Sequence, residues 1–147
     1  MAVEWRFDRV QKIWSKKQNR SLSNLFIVCG DAQIFIRDYL KDSTIDAAYV
    51  NFPDPWPKEK HAKNRLFQPH FIAEMTRTLR PGATLTVATD DPPYSAQIVT
   101  TVLSNSAWSS LHPEPYYMTQ WDGYGTSFFD TLWREKGREI RYFQFKK

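Results

Sequence analysis

Asp54 stands between two prolines in Asn51-Phe52-Pro53-Asp54-Pro55-Trp56-Pro57-Lys58, and Glu59-Lys60-His61-Ala62-Lys63-Asn64-Arg65 follows at once. Proline fixes φ and disfavours helix at the residue before it, so this carboxylate belongs to a stiff loop. A rigid acceptor beside an indole suits the reading of a base edge, and the cations that follow suit phosphate oxygens. A plainer account uses the same residues: Asp54 bonding its own backbone in a turn, Trp56 packing, and the lysines forming a solvated face.

Asp54 is one of four acids that each come just after a strand-like run. Leu25-Phe26-Ile27-Val28-Cys29 ends in Gly30-Asp31, Ile45-Asp46-Ala47-Ala48-Tyr49-Val50 leads into the proline loop, and Ala83-Thr84-Leu85-Thr86-Val87-Ala88 leads to Thr89-Asp90. Short apolar runs of this kind read as strands buried on both faces. Glu4 follows a shorter strand stub, Met1-Ala2-Val3. Ligands of open α/β sheets bind outside the carboxyl ends of the strands, so Glu4, Asp31, Asp54 and Asp90 are expected to face one crevice. Glu4 and Asp31 could equally be loop-capping acids, and Asp91 can cap the helix after Asp90 as well as Asp90 can.

The elements that position these acids alternate between helix and strand. From Trp5 to Lys17, Phe7, Val10, Ile13 and Trp14 recur at helical spacing with basic residues opposite. Phe71, Met75 and Leu79, beside Ile72, form a second apolar stripe, which Arg80-Pro81-Gly82 should stop and turn. Asp90-Asp91-Pro92-Pro93 reads as the start of a helix that runs through Tyr94 to Leu103. Further on, Tyr116-Tyr117-Met118 and Ile140 to Phe145 read as closing antiparallel strands around a helical stretch, Thr126 to Lys136, ended by Gly137. With right-handed crossovers this order predicts one α/β domain over residues 1–147. Its sheet should be mostly parallel, with helices on both faces and antiparallel C-terminal strands.

The bulk numbers are compatible with that reading. At 147 residues the chain can bury a core without a disulfide framework, and the single cysteine, Cys29, excludes an intramolecular disulfide or a multi-cysteine zinc site. His61, His70 and His112 lack ligand spacing, so no metal site is expected. The start is charged too early for a signal peptide, and no apolar run approaches the ~20 residues that span a bilayer. A cytoplasmic protein without a membrane partner is therefore expected. A net charge of +4 agrees with a polyanionic partner but does not by itself demand one.

In order and spacing, Val3-Glu4, Cys29-Gly30-Asp31-Ala32, Phe52-Pro53-Asp54-Pro55-Trp56-Pro57-Lys58 with the basic run to Arg65, Leu79-Arg80-Pro81-Gly82 and Ala88-Thr89-Asp90 resemble the bacterial tRNA (guanine-N7-)-methyltransferases. The likeness covers nearly the whole chain. It implies a Rossmann-like class I methyltransferase fold that uses S-adenosyl-L-methionine as cofactor and tRNA as partner, and modifies a variable-loop guanine. By the same resemblance Glu4 would accept from the ribose hydroxyls, Asp31 from the adenine amino group with Ala32 lending a backbone N–H, and Asp54 would be the active-site carboxylate beside the cofactor. Lys58 and Asp90 would bind substrate, and Lys60, His61, Lys63, Asn64 and Arg65 would contact tRNA. The family's late Thr-x-Phe-Glu motif maps onto Thr126-Ser127-Phe128-Phe129, so by the resemblance Thr126, Ser127 and Phe128 would also bind the tRNA substrate, while Phe129 replaces the glutamate and Asp130 comes one position late.

Guanine N7 already carries a free lone pair, so the chemistry needs in-line positioning in a dry site more than a general base. Asp54 could accept from the guanine N1–H and exocyclic amine, and a carboxylate becomes more favourable as the ring gains positive charge. Asp91-Pro92-Pro93-Tyr94 reproduces the loop of amino-group methyltransferases, yet it follows the wrong strand for that role and reads as a helix start. The glycine-rich turn of such enzymes is not among these residues. The first strand, the first helix and most of the second strand are accordingly expected to be missing from an N-terminally truncated chain. A non-catalytic RNA-binding remnant is the competing reading. A dinucleotide-binding oxidoreductase is opposed by the same lack of glycines.

Overall fold

The computed structural model of the chain describes residues 1–122, 124 and 127–147. These form two units, Met1–Leu40 and Lys41–Lys147.

In the first unit, strand β1 (Ala2–Glu4) pairs in parallel with β2 (Ile27–Cys29), placing Glu4 opposite Cys29. Helix α1 (Phe7–Asn19) makes the crossover, and α2 (Ala32–Tyr39) follows β2. Helix α1 begins two residues later than its apolar spacing predicts. The Glu4 side chain accepts from the Arg6 amide at 2.9 Å, and Arg6 stays extended as the N-cap residue. No residue of this unit is buried, and Phe7 and Trp14 on α1 are 66% and 56% exposed.

The second unit holds the core. Its sheet runs in the order β3 (Ile45–Asn51), β4 (Leu79–Thr89), β6 (Arg141–Lys146), β5 (Ser109–Ser110). Strands β3 and β4 are parallel, and β6 is antiparallel to both β4 and β5, so the expected antiparallel C-terminal pairing is present in a mixed sheet. Helices α3 (Pro69–Thr78), α4 (Pro92–Leu103) and α5 (Phe128–Glu135) complete the unit. Leu85 and Val87 of β4, Phe143 and Phe145 of β6, Phe71 and Ile72 of α3 and Ile98 and Val102 of α4 are fully or almost fully buried. Each such side chain contributes about 1.5–3 kcal/mol of hydrophobic stabilisation.

Three elements depart from expectation. Arg80-Pro81-Gly82 does not separate helix from strand. It forms an irregularity inside β4, because Ile45 pairs with Leu79 while Ala47 already pairs with Thr84, and Gly82 at φ 80° makes the bend. Tyr116-Tyr117-Met118 is not a strand. Tyr116 has φ 70° and its amide turns back to the Pro113 carbonyl, so only Met118 reaches Tyr142, through an isolated bridge. The edge position is taken by Ser109–Ser110, two polar residues with no strand signal. A 3-10 helix, Glu59–Asn64, occupies the basic run.

Candidate functional site

Asp54 lies in the loop between β3 and the 3-10 helix, on the side of the sheet where β4 delivers Asp90. The Phe52 amide donates to the Ala88 carbonyl at 2.8 Å, which ties the start of the loop to the end of β4. Phe52 and Trp56 have φ of 51° and 42°, in the left-handed region that non-glycine residues seldom enter. Two such residues bracket Asp54, at a cost of roughly 1–3 kcal/mol each, so surrounding contacts must hold this backbone in place. Asp54 itself is exposed. Its Oδ1 accepts from the Trp56 amide at 3.1 Å, as the turn reading requires, while Oδ2 has no protein partner among the described residues. The turn bond therefore aims the carboxylate and leaves one oxygen open.

Around the loop, the Asn51 side-chain oxygen accepts from the Tyr124 hydroxyl. Tyr124 stacks on Trp121 with ring centroids 4.7 Å apart, and burial pushes its hydroxyl up to about 12. Trp56 is half-buried and meets His61 edge to face at 5.8 Å, so packing takes part of both rings. Lys58, Lys60, Lys63 and Asn64 are exposed along the 3-10 helix. Arg65 differs from them. It is 9% exposed, its Nε donates to the Pro55 carbonyl at 2.7 Å and its Nη1 to Gln97 Oε1 at 2.6 Å.

Of the two neighbouring acids, Asp91 takes the cap. Asp91 Oδ1 accepts from the Tyr94 amide at 2.8 Å and caps α4, whereas the Asp90 side chain, 9% exposed, is paired with Arg138. The Arg138 guanidinium lies 4.3 Å over the Trp133 ring. Thr126 lies outside the described residues, and Ser127 caps α5, its Oγ accepting from the Asp130 amide at 3.1 Å. Phe128 is 73% exposed, and Phe129, where the family pattern has glutamate, packs 5.9 Å from the Phe52 ring. Asp130 is buried, accepting from the Tyr142 hydroxyl and from Arg134 Nε at 2.8 Å. It does not stand in for the glutamate as an open acceptor.

In the first unit, Glu4 and Asp31 share the carboxyl end of the β1–β2 pair. Asp31 Oδ1 caps α2 by accepting from the Gln33 and Ile34 amides at 2.7 and 3.1 Å, while the Ala32 amide is not taken by that carboxylate. Glu4 Oε2 lies 3.7 Å from Arg9. Among the described residues there is no cluster of His, Cys, Asp and Glu that could hold a metal, and no helix long and apolar enough to cross a membrane.

A family model described as "Putative methyltransferase" matches residues 1–142. The chain belongs to that methyltransferase family. It is 48% identical over all of its 147 residues to the tRNA (guanine-N(7)-)-methyltransferase of Chlamydia caviae, and 49% identical, over an alignment of 150, to that of Chlamydia trachomatis serovar D. In each case the whole chain is covered. The chain spans about 65% of the length of those curated relatives. More distantly, it is 32% identical to the enzyme of the same name from Rubrobacter xylanophilus, with 98% of the chain and 64% of the relative covered.

Solved structures support the fold of this chain. The PH0226 protein of Pyrococcus horikoshii OT3 superposes with a TM-score of 0.63 at 10% identity, covering 99% of this chain and 70% of that one. The cyclase SpnF superposes at 0.62 and 15% identity, covering 99% and 64%. The fold is α/β and Rossmann-like.

Proposed function

We propose that this methyltransferase chain takes part in transferring a methyl group from S-adenosyl-L-methionine to N7 of a variable-loop guanine in cytoplasmic tRNA. The observation that carries the reading is Asp54 Oδ2, an open acceptor on a proline-stiffened loop directly ahead of the exposed Lys58, Lys60 and Lys63. The 48% identity to a relative named for this activity supports it.

The residues present fit the nucleoside end of the cofactor. Each carboxylate oxygen can accept more than one hydrogen bond, so Glu4 keeps acceptor capacity for two ribose hydroxyls beside its bond from the Arg6 amide. Asp31 keeps Oδ2 for an amino group while Oδ1 caps α2, and the Ala32 amide is a donor at the helix start. The cofactor supplies an electrophilic methyl on a sulfonium. The chain's own part is to hold guanine. Asp54 accepts from N1–H and the exocyclic amine, which fixes the ring edge and stabilises the positive charge that develops on it. Lys58, Lys60 and Lys63 bind phosphate oxygens, with Asn64 alongside them, and supply most of the affinity without reading sequence.

Incubating the chain with unmodified tRNA and S-adenosylmethionine carrying a labelled methyl group tests this. Label at guanine N7, located by cleavage at the modified base, is the expected result. Tight tRNA binding with no incorporation would instead favour a non-catalytic RNA-binding role.

A further inference from the structure

Arg65 carries a charge into the protein interior without a carboxylate to meet it. None of the described ion pairs includes it, although a buried charge normally requires a partner. Its guanidinium lies 5.2 Å over the buried Tyr94 ring, and its two short hydrogen bonds go to neutral acceptors, the Pro55 carbonyl and Gln97 Oε1. The same face of α4 grips the next residues of the chain. The Tyr94 hydroxyl accepts from the Phe67 amide at 3.1 Å, and Gln97 Nε2 donates to the Phe67 carbonyl at 2.9 Å. Residues 65–67 are thereby fixed to α4, and the Arg65 side chain extends that anchor to the carbonyl of Pro55, the residue immediately after Asp54. The left-handed Trp56, next in sequence, needs an anchor of this kind.

We propose that Arg65 is a positioning residue. With Gln97 and Tyr94 it forms a latch that holds the Pro53–Trp56 backbone and so fixes where Asp54 presents its open oxygen, and it is not a phosphate contact within the basic run. This rests on the reading of Asp54 as the guanine acceptor. Gln97 is essential to the latch because one side-chain amide both accepts from Arg65 and donates to Phe67, a pairing that a carboxylate could not complete.

The test compares Arg65→Met, Gln97→Leu and, as contrast, Lys63→Met. Amide hydrogen exchange is followed along each chain, and tRNA affinity is measured across a salt series. Arg65→Met and Gln97→Leu should each speed exchange within residues 52–58 about tenfold, with the β4 and β6 amides unchanged. The slope of log affinity against log salt should stay the same in both. Lys63→Met should do the reverse, lowering the slope by about 1 and leaving loop exchange unaltered. Where the chain incorporates methyl, the two latch variants should lower kcat with KM for tRNA within twofold. Unchanged exchange in 52–58, exchange raised throughout the sheet, or a salt slope reduced by about 1 in Arg65→Met would each overturn the proposal. Absence of incorporation by the unsubstituted chain counts against the guanine reading alone, because the exchange data decide the latch without tRNA.

Discussion

The Asp54 carboxylate accepts from the Trp56 amide through one oxygen, at 3.1 Å, and keeps its other oxygen open to solvent. A turn bond and a binding role are therefore not rivals at this position. The bond orients the group, and prolines on both sides limit how far it can swing.

Phe52 at φ 51° should reverse the usual ranking of glycine and alanine. Both Phe52→Ala and Phe52→Gly lose the ring packed on Phe129. Only alanine keeps a Cβ that conflicts with the left-handed backbone, so the glycine variant should be the more stable by about 1 kcal/mol. Denaturant titration of the pair checks this, and equal midpoints would mean that the loop relaxes.

Asp130 is held by Tyr142 and Arg134 in the interior of the unit. Tyr142→Phe removes the hydroxyl and leaves a buried carboxylate short of a donor, and should cost about 1–3 kcal/mol in thermal or denaturant unfolding. An unchanged stability would contradict this buried pairing.

Asp91 and Asp90 should separate by assay. Asp91→Ala removes the α4 cap and should lower stability by about 0.5–2 kcal/mol. Asp90→Ala leaves that cap in place, and its larger effect should fall on methyl incorporation. Circular dichroism melts set beside incorporation rates distinguish the two.

Burial pushes Tyr94 and Tyr124 up to about 12, from an ordinary value near 10, and raises Tyr142 in the same direction. A group whose folded pKa is raised contributes stability that is fully present below its unfolded pKa and is lost as pH rises through the folded one. Stability should therefore hold to about pH 10 and decline from there towards 12. In a titration of tyrosinate absorbance, part of the signal from the seven tyrosines should appear late, together with unfolding. A single titration near 10 in the folded protein would contradict the buried placement.

The strands were legible because their residues are consecutive and apolar: Ile45 to Val50 and Ala83 to Ala88 became β3 and the regular part of β4. The helix start at Asp91-Pro92-Pro93 was legible for a similar reason, since cap and proline are adjacent in sequence. What stayed hidden depends on residues far apart. Arg65 looks like one more cation in a basic run, and only Gln97, 32 positions on, makes it internal. Arg138 gives no sign beforehand that it belongs beside Asp90, nor Trp133 that its ring lies under that guanidinium. Ser127 did carry a signal, because Ser-x-x-Asp ahead of an apolar helix is a cap pattern, but the family motif drew it towards substrate. Ser109–Ser110 pairs with β6 through its backbone, with Ser109 Oγ also donating to the Lys146 carbonyl, and two serines make no apolar pattern that announces a strand.

The most direct test of the central claim is Asp54→Ala, assayed for methyl incorporation at guanine N7 and, in parallel, for tRNA affinity. Incorporation should be abolished while most of the affinity remains, because phosphate contacts dominate binding. Incorporation equal to that of the unsubstituted chain would remove Asp54 from the mechanism.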